Sequence, residues 1–305
     1  MKTIVIYYAN RAEKSILDPV KTALDRSGVA NIYVDLSEQI SSIEEDKNLS
    51  KVYDYVFSQL DKNPNITKGI VIGDRREIMF ASLAMFVKDV EIIQLASGDL
   101  SGEISLVDDY FRHLITILSG RQVSFTEKSN EKSLEIKDCL NLKSNSRYLP
   151  NPTLSDLNLE KIKREKVKPY NLVLVHPQSL SLQETKKDAL EVYGKITEEK
   201  DTIIIKGNKD KNFEVLYDAW EKIYDNRDNV KIYENLSKED FIALLANCEN
   251  FITNSSCAFY EAPFFLNSDQ ITRIGRRNRD REIANYTKED ILSSEKIVKF
   301  IMENL

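Results

Sequence analysis

Short Val- and Ile-rich runs recur along the chain at 3–9, 30–36, 69–72, 90–96, 172–175, 202–205, 230–233, 251–253 and 270–274. Their apolar character is continuous rather than alternating, which is what a strand covered on both faces requires. Between them lie amphipathic stretches at 13–26, 48–60, 77–87, 107–118, 182–193, 213–224 and 238–246, each long enough to cross back over a sheet as a helix. Strand and helix in alternation predict an α/β fold with doubly wound parallel sheets.

The alternation breaks between about Glu127 and Lys168, where charge, Ser and Asn dominate and Pro150, Pro152 and Pro169 interrupt any long element. A strand and helix series of similar size stands on each side. The expected organisation is therefore two Rossmann-like domains facing each other across a cleft, over 1–157 and 158–286. The amphipathic stretch 287–305 reads as one helix packing back on the first domain.

Composition removes several functional classes. The 43 Lys and Arg against 49 Asp and Glu give a formal charge of −6, which disfavours a general nucleic-acid binder because phosphate contacts need a basic surface. The 3 cysteines, Cys139, Cys248 and Cys257, have neither CxxC nor metal-type spacing. Neither the N-terminal apolar run nor any later window has the length of a signal-peptide core or a membrane span. The expectation is a cytoplasmic protein with no metal, no cofactor, and no nucleic-acid or membrane partner.

Ligands of open parallel sheets sit beyond the carboxyl ends of the strands. The residues at those places are polar: Asn10, Arg11 and Glu13; Gly73-Asp74-Arg75; Ser97-Gly98-Asp99; His176; Gly207-Asn208; Asn254-Ser255-Ser256; Gly275-Arg276-Arg277. No GxGxxG or GxxxxGK[ST] occurs, so dinucleotide and P-loop readings lose their main support. Asp74 and Asp99 either point into the cleft, where burial would raise a carboxyl pKa, or cap helices.

On a helix over 107–118, Asp108 lies one turn below Arg112 and Asp109 one turn below His113. A solvated ion pair, common and weak at such spacing, is the first reading for Asp and Arg alone, and a functional cluster the second. His113 and His176 are the 2 histidines of the chain, and each is either a core residue or part of a site. Asn254-Ser255-Ser256, followed by a helix-like segment through Glu261, would suit a phosphate at a helix N-terminus, or simple N-capping. Arg273, Arg276, Arg277, Arg279 and Arg281 form the densest positive cluster, either a phosphate clamp or a basic loop.

Taken in order, these motifs resemble the UDP-N-acetylglucosamine 2-epimerases, especially their hydrolysing branch. Asn10-Arg11-Ala12-Glu13 resembles the family's TRAE, and Ile72-Gly73-Asp74-Arg75-Arg76-Glu77 its LGDRxE. Gly98-Asp99 and Asp108-Asp109-Tyr110-Phe111-Arg112-His113-Leu114-Ile115-Thr116 resemble GGD followed by DDSIRHAIT. His176-Pro177 matches the family's HP, and Asn208 with Asp210 its PNxD. Asn254-Ser255-Ser256, Glu261-Ala262-Pro263, and Ile274-Gly275 with Arg277 and Arg281 resemble NSS, EAP and IGxRQxGR. Several segments depart: Gln94-Leu95-Ala96-Ser97-Gly98-Asp99 stands where the family has HxHGGD, no counterpart of TGMHLSPEFG occurs between Val34 and Ser50, Pro150-Asn151-Pro152 replaces GNP with Ser155 where Asp is usual, and Asn278 and Asp280 replace Gln and Gly in the arginine loop.

The resemblance implies a GT-B-type architecture, with UDP held mainly by the second domain and the sugar in the cleft. The implied chemistry removes a proton at C2 with loss of UDP, leaving a 2-acetamidoglucal that is rehydrated to a free 2-epimeric sugar such as ManNAc. Asp74, Asp99 and Asp108 would then be acid/base carboxylates, Arg112 would orient them, and His176 would sit by the diphosphate. Arg11, Glu13, His113, Asn208, Asn254, Ser255, Ser256, Glu261, Arg277 and Arg281 would hold the UDP-sugar. A homodimer and a place in surface-glycan or nonulosonic-acid synthesis are further implications. A UDP-sugar-binding protein without catalysis and a GT-B glycosyltransferase remain the alternatives.

Overall fold

The computed structural model of the protein describes residues 2–39, 49–100, 107–157, 162, 168–178, 180–207, 209–278, 281–284 and 292–303. These fall into two compact units, one ending at Asp156 and joined by the C-terminal helix, the other running from Leu157.

The first unit is built on a six-stranded sheet, all of whose pairings are parallel, in the order β2-β1-β3-β4-β5-β6. Its strands are β1 (Thr3–Tyr8), β2 (Asn31–Asp35), β3 (Ile66–Ile72), β4 (Glu91–Leu95), β5 (Arg121–Ser124) and β6 (Ser146–Tyr148). Its helices are α1 (Arg11–Arg26), α2 (Leu36–Gln39), α3 (Leu49–Lys62), α4 (Arg76–Val87), α5 (Val107–Leu118) and α6 (Glu127–Asp138). Consecutive residues Val5, Ile6 and Tyr7 of β1 have no exposed surface, because helices cover both faces of the sheet.

The second unit has a five-stranded parallel sheet in the order β11-β10-β7-β8-β9. It is made of β7 (Tyr170–Val175), α7 (Leu182–Lys195), β8 (Asp201–Lys206), α8 (Phe213–Asp225), β9 (Val230–Tyr233), α9 (Lys238–Asn247), β10 (Asn250–Thr253) and β11 (Ile271–Arg273). Trp220 of α8 is fully buried against Val173, Ile204 and Ile223.

The structure corrects the sequence reading over 127–156. That segment is not a break in the pattern: it supplies α6, β6 and a 3₁₀ turn, Pro152–Leu154, all in the first unit. Helix α6 has no apolar stripe because it buries Ser129, Ser133 and Lys137 instead. Small hydroxyl side chains let its backbone approach the loop after β4 closely. A Cβ on Gly98 would lie 1.9 Å from the Ser129 carbonyl oxygen. Thr126 and Ser129 close a capping box at its start.

The final helix, α10 (Ser293–Met302), docks on the first unit beside α1. Arg121 of β5 donates to the carbonyls of Phe300 at 2.6 Å and Glu303 at 2.5 Å, placing a cation at the helix C-terminus where the dipole favours it. Residues 287–291, 304 and 305 of the expected terminal helix lie outside the described residues. Among the described residues no helix is long and apolar enough to cross a membrane, and no group of three or more His, Cys, Asp or Glu could hold a metal ion.

Candidate active site

In the first unit, functional side chains gather beyond the carboxyl ends of β1, β3 and β4. Asn10 caps α1 by accepting from the Glu13 amide at 2.9 Å, which turns Glu13 back under the strand ends. There the Glu13 carboxylate accepts the Ala9 amide at 2.6 Å through Oε2, while Oε1 is buried with no hydrogen-bond partner. Burial pushes this carboxyl up to about 8, against the lowering effects of the Ala9 amide and the Arg75 guanidinium. Gly73 is at φ +87°, and a Cβ added there would lie 3.0 Å from Glu13 Oε1, so a larger residue would crowd the carboxyl. Arg11 is exposed on the first turn of α1.

Arg112 organises the next layer. It is 2% exposed, pairs with the Asp74 carboxylate, donates to the Asp99 main-chain carbonyl at 2.7 Å, and lies 3.5 Å from Asp109. Beyond any pairing within its own helix, Arg112 thus reaches a carboxylate 38 positions away, with the guanidinium end of the pair buried. Asp74 does not cap α4; Arg75 occupies that position, with no side-chain cap bond. Asp99 is buried at the end of the β4 loop, and Asp108 is exposed on the first turn of α5. His113 is half-buried with Nδ1 unpartnered, and burial first, then Arg112, hold its imidazole below the ordinary value.

Beneath Arg112 runs a seam of neutral polar groups. Gln94, fully buried, donates to the Arg112 carbonyl at 3.0 Å and accepts from the Thr116 hydroxyl at 2.8 Å. Ser97 bridges Thr116 at 3.2 Å and Ser133 at 2.7 Å.

In the second unit the loops after β7, β10 and β11 are tied together. Asn254 accepts the His176 amide at 2.7 Å and donates to the His176 carbonyl at 2.8 Å. Its own carbonyl accepts from Asn278 at 2.8 Å. The Asn254 side chain is therefore a clip between strand ends. Arg277 donates to the Pro177 carbonyl at 2.8 Å and lies 3.8 Å from Asp210. Burial first, and Arg277 second, push the His176 imidazole well below its ordinary value, so it is neutral at pH 7.

The segment after Asn254 corrects another expectation. It forms 3₁₀ turns at Ser256–Ala258 and Ala262–Phe264, with no α-helix and so no helix dipole aimed at a phosphate. Ser255 caps the first turn through the Cys257 amide, while Ser256 and Glu261 are half-buried. Arg281 rests over the Tyr260 ring, 5.7 Å from its centroid, and Arg273 over Phe259 at 5.4 Å. Asn208, Arg279 and Asp280 lie outside the described residues.

Sequence reasoning missed one residue at the centre of this unit. Asp188 of α7 is 2% exposed and sits beneath Gly275, accepting from Gln178 at 2.9 Å and from Asn254 at 3.4 Å. An Asp in the middle of an amphipathic helix reads as solvent-facing, and only the strand-end loops crossing above it reveal otherwise.

A family model described as UDP-N-acetylglucosamine 2-epimerase matches residues 21–292. The chain belongs to this family. A hydrolysing GDP/UDP-N,N'-diacetylbacillosamine 2-epimerase of Campylobacter jejuni is 25% identical over 225 residues, covering 70% of this chain and 57% of that protein. The hydrolysing UDP-N,N'-diacetylbacillosamine 2-epimerase of Legionella pneumophila is 25% identical over 233 residues, with the same coverages of 70% and 57%. The chain thus matches less than two thirds of the length of these curated relatives.

Among solved structures, the Methanocaldococcus jannaschii UDP-GlcNAc 2-epimerase in complex with UDP-GlcNAc and UDP superposes with a TM-score of 0.75 at 16% identity, covering 100% of both chains. The Neisseria meningitidis UDP-GlcNAc 2-epimerase bound to UDP-GlcNAc gives 0.74 at 14% identity, again covering 100% of both. The two parallel-sheet domains of this 2-epimerase family member are those of the GT-B-like fold.

Against the motif of the 2-epimerase family, Gln94 stands at the first histidine of HxHGGD. Here its side chain is used internally, holding the Arg112 carbonyl and the Thr116 hydroxyl. Ala96, at the second histidine, takes φ +56°, so the loop that carries Asp99 turns through a left-handed residue.

Proposed function

We propose that the protein is a hydrolysing UDP-sugar 2-epimerase acting on a UDP-activated 2-acetamido sugar. The observation that carries this reading is the Arg112 guanidinium bound to both the Asp74 carboxylate and the Asp99 carbonyl, at the strand ends where α/β ligands bind. Family membership and the hydrolysing activity named for the Campylobacter and Legionella relatives support it.

In this reading, one carboxylate among Asp74, Asp99 and Asp108 removes the C2 proton. The C2–H electrons form the C1–C2 double bond, and the C1–O bond breaks with its electrons on the departing UDP. Water then adds its oxygen to C1 of the glycal while C2 is reprotonated from the opposite face. The free sugar of inverted C2 configuration and UDP are the products. Arg112 holds the carboxylates in register, and Arg277 and Arg281 stabilise the charge that develops on the diphosphate. His176, neutral, donates or accepts a hydrogen bond there without adding charge. Glu261 takes the ribose hydroxyls, with Ser255 and Ser256 beside the diphosphate.

Arg11, Glu13, His113 and Asn208 belong to the same reading as substrate-binding residues. So do a cytoplasmic location, a role in surface-glycan or nonulosonic-acid synthesis, and a homodimer formed through the first unit. The dimer is supported by the exposed side chains of Phe86 and Val87 on α4 and of Tyr110 and Leu114 on the adjacent α5. Light scattering of the purified protein tests it.

The chemistry is tested by incubating the protein in deuterated water with UDP-GlcNAc and with UDP-N,N'-diacetylbacillosamine, following UDP release and C2 by NMR. UDP release with deuterium at an inverted C2 is the expected result. Exchange at C2 without UDP release would make the enzyme non-hydrolysing. No change with either sugar, when both bind, would leave a binding protein.

A further inference from the structure

We propose that Asp188 is the positioning residue for the diphosphate-binding loops of the second unit, and that its negative charge is needed for those loops to hold a UDP-sugar. The proposal rests on the 2-epimerase reading, in that it takes the strand ends of this unit as the nucleotide site.

Three loops converge on one carboxylate. From the loop after β7, Gln178 donates its side-chain amide to Asp188 Oδ2 at 2.9 Å. From the end of β10, Asn254 donates to the same oxygen at 3.4 Å while gripping both main-chain groups of His176. From the loop after β11, Gly275 lies directly over the carboxylate. A Cβ there would come within 2.3 Å of Oδ1, and the φ of +61° also favours glycine. The next two residues of that loop are Arg276 and Arg277, and Arg277 is fastened to the Pro177 carbonyl. Asp188 is itself 2% exposed beneath these loops. It acts through the loops.

Burial pushes the Asp188 carboxyl up to about 6, with Glu184 and Glu191 of its own helix adding to the rise. The hydrogen bonds from Gln178 and Asn254 act the other way. From the facing loop the charged groups are Arg276, which acts on Glu184, and Arg277, which acts on His176. Mild acid therefore protonates the acceptor that gathers the three loops.

Two effects of that protonation have opposite signs. If Asp188 were only a nearby negative charge, neutralising it would tighten the grip on an anionic diphosphate. If it positions the loops, neutralising it loosens them, and affinity falls as pH drops.

The test is calorimetric binding of UDP-GlcNAc, whose diphosphate has no group titrating near neutrality, at a series of pH values. Wild-type affinity is expected to fall about tenfold as pH drops through the Asp188 transition, the worth of a hydrogen bond to a charged group. Asp188→Asn should bind about tenfold more weakly at neutral pH and show no such transition. Gln178→Met, which removes a bond holding the carboxyl down, should move the wild-type midpoint to higher pH. Where Asp188→Asn fails to fold, that midpoint decides the matter alone. Affinity that rises in acid, an Asp188→Asn protein with the wild-type profile, or an unmoved Gln178→Met midpoint overturns the positioning role. Failure of the wild type to bind at any pH overturns the 2-epimerase reading and this inference together, whereas binding indifferent to Asp188 overturns only the inference.

Discussion

Arg112 and Asp74 form an ion pair that is dry at one end and wet at the other: the arginine side chain is 3% exposed and the aspartate 27%. The two deletions should therefore be unequal. Asp74→Ala leaves a buried guanidinium short of its main counter-charge, at a cost on the order of 3 kcal/mol. Arg112→Met leaves a carboxylate that water can reach and fills the vacated space with an apolar chain, at about 1 kcal/mol. Urea unfolding of both variants measures the difference, and equal losses would mean that the pair is solvated.

Gly98 fixes where Asp99 stands. Its φ is +73°, and an added Cβ would lie 1.9 Å from the Ser129 carbonyl and 2.9 Å from the Ser133 amide, both backbone atoms of α6. Neither can rotate away. Gly98→Ala should cost more than the roughly 1–2 kcal/mol of a left-handed residue alone, because the loop must also lift off α6. The Asp99 carbonyl would move with it and release Arg112, so turnover should fall further than stability predicts. Denaturation midpoints read alongside UDP release separate the two losses.

The Val and Ile runs made the parallel α/β alternation legible, and each run lies within or around a strand of the structure. Strands β5 and β6 were not legible, because RQVS and SRY are short and polar. Helix α6 was hidden for a different reason: it packs by serines, which leave no hydrophobic period. At the site, Asp74, Asp99 and Arg112 stood out because they follow apolar runs or share a helix turn, yet their mutual contact joins β3, β4 and α5 and has no local signature. Asp188 was invisible as a site residue, and Gln94 stood out only as a departure from the family's HxHGGD, with nothing to show what it holds. Each is an isolated polar residue within an element, and its importance comes from the loops and helix that cover it.

Asp108→Asn and Arg277→Ala should divide the kinetics between them. Asp108 is exposed on the first turn of α5, so the amide should leave the fold intact while turnover drops by about a hundredfold or more, the usual worth of a general acid or base. UDP affinity should be unchanged. Arg277→Ala removes a cation near the diphosphate site and a bond to the Pro177 carbonyl, and should weaken UDP by about tenfold. Steady-state kinetics with calorimetry checks both, and normal turnover in Asp108→Asn would remove it from the chemistry.

Glu13 gives the first unit a pH dependence whose sign can be worked out. Its folded-state carboxyl titrates at about 8 against an ordinary value of 4.5, chiefly because it is buried. Between those values the folded chain holds a proton that the unfolded chain releases. The contribution is therefore fully present below about pH 4.5 and is lost as pH rises through about 8. Glu13→Gln keeps an oxygen for the Ala9 amide and has no proton to lose. Wild-type stability should decline by a few kcal/mol from mildly acidic to mildly alkaline pH, whereas the Gln variant should stay nearly level across that range. Urea unfolding at about pH 5 and about pH 9 measures this. Parallel pH profiles for the two proteins would show that Glu13 is already ionised in the fold, with Arg75 rather than a proton offsetting its burial.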